Sequence, residues 1–407
     1  MQLSNTDRSY GGVTKTFHWL TALLILTVIP VGWIANDLAH AVTDPSIPST
    51  EADIARAAWL FSLHKTLGVT VFFVALARIA WALTQAKPGL LNADKRAEAM
   101  AAETVHWLLY GSLVLVPLSG WIHHAATEGF APIWWPFGQS LPLVPKDTAL
   151  AAVTAGLHQV LQWVLVVSLA LHVAGALKHH VIDRDETLRR MLPGRNAAPQ
   201  PPAHPQSTSP LVAALVIWAA ALGCGAWLGM FDRGESSGYA QGVPLESVAS
   251  DWTVTEGTLE ITVTQLGNPV TGSFADWTAA IRFEERETPG AAGDVAVTIA
   301  IGSLTLGSVT AQAMGPDFFD ASVFPTAEFL ADLYRTEVGY EARGTLTLRG
   351  TTVDVTLPFD LDMDGNTAKV SGTVTLNRLD FGIGGNLPDE SSLKFPVTVA
   401  VSLTAAR

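Results

Sequence analysis

Residues 157–172 read LHQVLQWVLVVSLALH, and the reading of this stretch decides the fold. It is an apolar run closed at each end by a histidine, His158 and His172. On a helix this spacing is close to four turns. Both imidazoles then lie on nearly one face, about 21 Å apart along the axis. The hydrocarbon core of a bilayer is roughly 30 Å thick. Such a helix crosses a membrane and presents one imidazole near each surface. An imidazole is costly in hydrocarbon, so an ionisable residue at that depth points to function by default.

Working outward, five segments are long and apolar enough to span: Phe17–Ala35, Ala57–Leu83, Thr104–Ala125, Ala152–Leu177 and Leu211–Phe231. The first and second segments carry one histidine each, His18 and His64. Orientation follows from cations at the segment ends. Arg8 and Lys15 precede the first segment. Arg78, Lys87, Lys95 and Arg96 surround the second connection, and Lys178, Arg184, Arg189, Arg190 and Arg195 follow the fourth segment. The first and third connections hold little beyond Arg56 and Lys146. The N-terminus is therefore expected in the cytoplasm. So is the Pro-rich linker at 196–210, NAAPQPPAHPQSTSP. The fifth segment, 211–231, returns outward and delivers the rest of the chain to the opposite side. The first nineteen residues are polar for sixteen positions, and the run after them is read as a retained helix rather than a cleaved signal.

Depth then sorts the histidines into two layers, His18 with His172 inside and His64 with His158 outside. Each layer has two imidazoles from different helices, which is what a six-coordinate b-type haem requires. A single membrane histidine is more simply a hydrogen-bonded link between helices. Four at two matched depths fit that reading poorly. A metal-transport path would usually add mid-membrane carboxylates, and these helices have none. His106 begins the third segment and could replace a ligand or contact a propionate or quinone. His123 and His124 end that segment outside, and His179 and His180 lie at the headgroups. Arg78 and Lys65 face the polar ends of the layers, as propionate partners or as snorkelling cations. Trp19, Trp33, Trp59, Trp81 and Trp107 cluster near segment ends, as an aromatic belt does.

The charge is uneven. Residues 239–407 hold 9 Lys+Arg against 22 Asp+Glu, so the whole net charge of -13 sits there. That marks a separate soluble domain and argues against nucleic acid as a partner. VDVTLPFDLDM alternates, with Val353, Val355, Leu357, Phe359, Leu361 and Met363 on one face. DVAVTIAIG, GTLEITV, SGTVTL and FPVTVAVSL repeat the pattern, and such runs between turn residues indicate an all-β sandwich or barrel. The one cysteine, Cys224, allows no disulfide within the chain and is read as a small apolar helix residue.

These residues carry two resemblances. TKTFHWLTALLIL, LHKTLGVTVFFVALARIAW, VHWLLYGSLVLVPLSGW and LHQVLQWVLVVSLALHVAGALKHH resemble the four helices of the bacterial cytochrome b561 family over residues 8–195. The resemblance implies a four-helix bundle with two haem b groups held by His18, His64, His158 and His172, and electron exchange with quinone. One type of member oxidises superoxide and reduces quinone. GSFADWTAAIRFE, GPDFFDASVFPTAEF, GTLTLRGTTVDVTLPFDL and LNRLDFGIG are similar to the YceI family over residues 240–407. That similarity implies a lipocalin-like antiparallel barrel around an isoprenoid chain.

The expected protein has a membrane domain at 1–195, the linker at 196–210, a fifth transmembrane helix at 211–231 and a periplasmic barrel at 240–407. It would be a quinone-linked oxidoreductase of the bacterial inner membrane. Its partners would be the lipid bilayer, quinone and an isoprenoid lipid in the barrel. Two other readings stand beside it: a lipid carrier anchored by its membrane part, and a cytochrome subunit serving a dehydrogenase. Residues of direct catalysis, the electron donor and any protein partner are not legible.

Overall fold

The structure, a computed structural model, describes residues 2–43, 50–127, 131–194, 199–202, 207–231, 245 and 250–407. Residues 196–198 and 203–206 of the Pro-rich stretch and the expected barrel start at 240 lie outside the described residues. The chain divides into two compact units. One comprises Met1–Ala35, Leu60–Thr127 and Pro132–Gly234; the other comprises Asn36–Trp59, Glu128–Ala131 and Glu235–Arg407.

Among the described residues, five helices are long and apolar enough to cross a membrane. They are α1 (Gly12–Thr43), α2 (Glu51–Leu83), α3 (Arg96–Ala126), α4 (Thr148–Lys178) and α5 (Ser209–Trp227). The first four run beyond the apolar segments, because polar flanks such as EADIARA are good helix formers that the hydropathy reading excludes. Asp147 caps α4 by accepting a hydrogen bond from the Leu150 N–H at 2.6 Å. The last helix is shorter than the expected 211–231. Gly229 takes φ +72°, the left-handed conformation that ends helices. The chain then turns back, and Phe231 packs over Gly156 and Gly225.

The helical unit exposes large apolar side chains and buries small hydroxyls among its apolar interior contacts. Leu23 and Leu26 are 65% and 64% exposed, and Val216 is 61% exposed, while Ser112 and Ser168 are buried. Water would penalise that surface and hydrocarbon would not, so the pattern is that of a membrane protein. Ile25 and Val28 of α1 meet Val71 and Ala75 of α2 and Leu113 of α3 in the interior. The fifth helix docks through Trp218, whose indole rests where a side chain at Gly111 would stand.

The second unit is built on ten antiparallel strands: β1 (Thr253–Gln265), β2 (Asn268–Phe274), β3 (Trp277–Phe283), β4 (Gly290–Ala300), β5 (Leu304–Thr305), β6 (Thr326–Arg335), β7 (Tyr340–Leu348), β8 (Thr351–Asp364), β9 (Thr367–Asn377) and β10 (Leu393–Ala406). Their order is β3-β4-β6-β7-β8-β9-β10-β1-β2-β5. Two-residue turns set the register. Leu266–Gly267 and Arg349–Gly350 all have positive φ, the conformation that matches strand twist in a tight hairpin. They fix Gln265 opposite Asn268 and Leu348 opposite Thr351. The sheet curls into a lipocalin-like half-barrel. Its seam is covered where Trp277 of β3 lies on Gly257 of β1, in space that a Cβ would fill at 2.7 Å.

Candidate functional site

The outer pair sits on α2 and α4. The rings of His64 and His158 are 6.3 Å apart between centroids, with planes at 89°. His64 Nδ1 lies 2.9 Å from the Val28 carbonyl oxygen, and His158 Nδ1 lies 2.8 Å from that of Val116. A carbonyl only accepts, so each Nδ1 carries the hydrogen and donates. Nε2 is left with its lone pair, the tautomer a metal ligand needs, and the carbonyl fixes the ring's orientation.

Both carbonyls belong to one repeated pattern, which the sequence analysis missed. VIPVGW at 28–33 and VPLSGW at 116–121 each place a glycine four residues after the accepting valine. A Cβ at Gly32 would stand 2.5 Å from His64 Cε1, and one at Gly120 would stand 2.9 Å from His158 Nδ1. No other residue lets the imidazole reach that carbonyl. The signal was available as a short repeat in α1 and α3, but its meaning depends on which helices face each other.

The inner pair sits on α1 and α4. His18 and His172 have centroids 6.1 Å apart at 58°. His106 of α3 joins them, 5.2 Å from His172. The start of α1 is tied down beside them. Lys15 Nζ donates to the carbonyls of Leu192 and Gly194 at 2.8 and 3.0 Å, and Trp19 Nε1 donates to that of Met191 at 2.9 Å. Arg78 lies over the Tyr110 ring at 5.1 Å.

Two imidazoles bound to one metal from opposite sides, at about 2.0–2.1 Å each, hold their ring centres roughly 6 Å apart. Both pairs meet that spacing. Gly68 follows His64 by one turn and Gly175 follows His172 by nearly one, on the same helix faces. A Cβ at either would meet no atom within 4 Å. The donor sets therefore suit a flat prosthetic group with an iron between each pair.

The remaining sequence candidates separate. His123 Nδ1 bonds the Ala151 carbonyl at 2.8 Å, and its ring stacks edge-on against His124 at 4.7 Å. Lys65 is buried next to His64 in sequence. His179 Nδ1 lies 2.6 Å from Asp185, within an ion-pair cluster around Lys178, and His180 is exposed.

In the second unit the sheet encloses a cavity of about 300 Å³. Its wall is apolar, with Ile261, Phe274, Phe329, Leu357 and Val399 among the lining residues. Gln265, Gln312, Arg378 and Ser392 are the polar exceptions. Ile54, at the start of α2 and in the same unit, closes against Leu387 and Leu393. Arg378 is buried, and all its N–H groups are directed at main-chain carbonyls. Nε reaches Lys394 at 3.2 Å. Nη1 reaches Ile383 and Gly384 at 2.9 and 2.6 Å, and Nη2 reaches Leu387 and Leu393 at 2.6 and 3.2 Å. Nearby, the Phe395 N–H holds the Glu390 carboxyl below its ordinary range.

Comparison with known proteins divides the chain the same way. Residues 9–194 match the family model of prokaryotic cytochrome b561, and residues 252–405 match that of the YceI-like domain. Cytochrome b561 homolog 2 of Escherichia coli is 29% identical over 47% of this chain and 95% of its own length. The probable superoxide oxidase CybB of Yersinia pestis is 24% identical over 46% of this chain and 97% of its own length. Among solved structures, Burkholderia cenocepacia BcnA is similar at 26% identity with a TM-score of 0.36, over 38% of this chain and all of that one.

Proposed function

We propose that the cytochrome b561 domain of this chain holds two b-type haems and passes electrons through the membrane to or from quinone, while its YceI-like domain binds an isoprenoid lipid. The inner haem would sit between His18 and His172 and the outer one between His64 and His158. The observation that carries this is the pair of matched imidazole spacings, 6.1 and 6.3 Å, with α4 contributing one ring to each. Haem supplies reversible one-electron chemistry when bound. The chain's own residues do the rest. Val28 and Val116 lock the outer imidazoles in the ligand tautomer, and Gly32 and Gly120 make room for them. The apolar interior around Leu113 and Leu165 excludes water and so tunes potential. His106 is placed to contact a propionate or a quinone at the inner layer.

The cations at the segment ends support a cytoplasmic N-terminus in a bacterial inner membrane, and with an odd number of spans the barrel would lie in the periplasm. The functional division would be 1–195 for electron transfer, a linker from 196 to the start of α5, α5 itself (Ser209–Trp227) as fifth span and 240–407 as barrel. Protease added to the outer face of spheroplasts is expected to release a soluble fragment of about residues 240–407. Protection of that fragment would contradict the five-span topology.

The electron-transfer reading is tested by stopped-flow spectroscopy of the purified protein. Reduced protein is expected to be reoxidised by a short-chain ubiquinone analogue. Superoxide oxidation is a further reading, favoured by the buried cation Lys65 beside His64, which would draw a small anion to the outer layer. A superoxide burst would then reduce the haems. Response to quinol alone would remove superoxide and leave the quinone reaction standing. Haem-free protein with bound lipid would instead favour an anchored carrier.

A further inference from the structure

We infer that the polar end of the barrel cavity is a head-group site for a neutral hydroxyl on an isoprenoid chain, and that it rejects phosphate and diphosphate heads. The inference rests on the reading of the barrel as an isoprenoid-binding domain and specifies which isoprenoids it takes.

Two buried polar atoms in this cavity have no hydrogen-bond partner: Gln265 Oε1 and Ser392 Oγ. Gln265 is 8% exposed and Ser392 2% exposed, and both line the cavity. They are neighbours. The Leu266 N–H donates to the Ser392 carbonyl at 2.8 Å, and Gln265 stands opposite Leu393 where β1 pairs β10. A buried polar atom without a partner is destabilising, so such atoms usually mark a ligand or an internal water. Here they face a space walled, apart from Gln312 and Arg378, by apolar side chains. The amide oxygen only accepts, and the serine hydroxyl both donates and accepts. Together they suit a group that has a hydrogen to give and an oxygen to receive one, which is a hydroxyl.

The same end of the cavity is unsuited to an anion. Among the described residues Arg378 is the one cation lining it, and a guanidinium has five N–H donors. All five are directed at carbonyls of Ile383, Gly384, Leu387, Leu393 and Lys394. None is left to grip a phosphate oxygen. Glu390 and Glu51 contribute negative charge close to Arg378. A diphosphate would be desolvated there without a free donor and against like charge, which costs far more than burying a neutral hydroxyl. An isoprenoid alcohol and the reduced, phenolic form of a prenylated quinone both meet the requirement.

The test uses the full-length protein in nanodiscs and a diazirine-labelled farnesol. Crosslinks mapped by mass spectrometry report occupancy of the barrel strands. Unlabelled farnesol, farnesene and farnesyl diphosphate then compete. Farnesol is expected to compete about tenfold better than farnesene, the value of one to two hydrogen bonds, and the diphosphate no better than farnesene. A prenylated quinol against its quinone separates the two hydroxyl sources. Gln265→Leu and Ser392→Ala should each bring farnesol towards farnesene while leaving farnesene unchanged, which also reports that the barrel is folded. Equal competition by farnesol and farnesene, or strongest competition by the diphosphate, would overturn the head-group site and leave the isoprenoid reading intact. No crosslink to the barrel, and no competition by any of the three, would overturn that reading and the head-group site with it.

Discussion

Replacing His158 by alanine is expected to lower the haem content of the purified protein from two per chain to one and to leave the inner haem's spectrum unchanged. The proposed outer iron would lose one of its two ligands. It also loses the ring that Val116 and Gly120 hold in place. His124 is no ready substitute, since its ring is packed edge-on against His123. Gly120→Val should produce the same loss without touching a ligand, because its side chain occupies the space of the His158 ring. Overpacking of that kind typically costs about 1–3 kcal/mol and displaces whichever group can move. Haem extracted from both variants as pyridine haemochrome, with the low-temperature α-band of what remains, checks the result. Loss of both haems together, or retention of both, would contradict the separation into layers.

Arg378→Met is expected to destabilise the barrel by about 3 kcal/mol or more without changing haem content. The methionine fills part of the volume but removes the guanidinium from five carbonyls, of which that of Gly384 keeps a bond from the Leu387 N–H at 2.9 Å. A buried group left unsatisfied costs roughly 1–3 kcal/mol, and water admitted to the loop recovers only part of that. Arg378→Lys should rescue little, because a single ammonium has three donors and no planar fork to span carbonyls from residues 383 to 394. Pulse proteolysis of the full-length protein across a urea series measures this as a fall in the midpoint for loss of the C-terminal fragment. An unchanged midpoint would mean that the loop is held by its apolar contacts, Leu387 against Val42, Ile54 and Ala57.

Much of this architecture was legible because it rests on two simple periods. A hydrocarbon solvent demands long apolar helices, and a half-buried sheet demands alternation, so the spans and strands such as β8 could be read directly. Val355, Leu357, Phe359 and Leu361 line the cavity from β8, on the face the alternation assigned to them. The pairing of His18 with His172 and of His64 with His158 follows the spacing on α4, since helix rise is constant. What could not be read depends on which surfaces meet. VIPVGW and VPLSGW are ordinary apolar peptides until α1 faces α2 and α3 faces α4. The end of α5 fell short of Phe231 because Gly229 turns the chain back, and hydropathy carries no information about φ. Gln265 lies at the end of a strand and Ser392 in a polar loop, where both read as solvent-facing. Only the hairpin register and the loop that Arg378 organises bring them to one end of the cavity.

The central claim is that one chain holds two haems in two layers that share α4. The direct measurement is the haem-to-polypeptide ratio of the intact protein by pyridine haemochrome and quantitative amino-acid analysis, joined to a redox titration. The account predicts a ratio of two, non-covalently bound, with two resolvable low-spin b-type components. A ratio of one, or a high-spin spectrum showing that one imidazole of a pair is not a ligand, would contradict it.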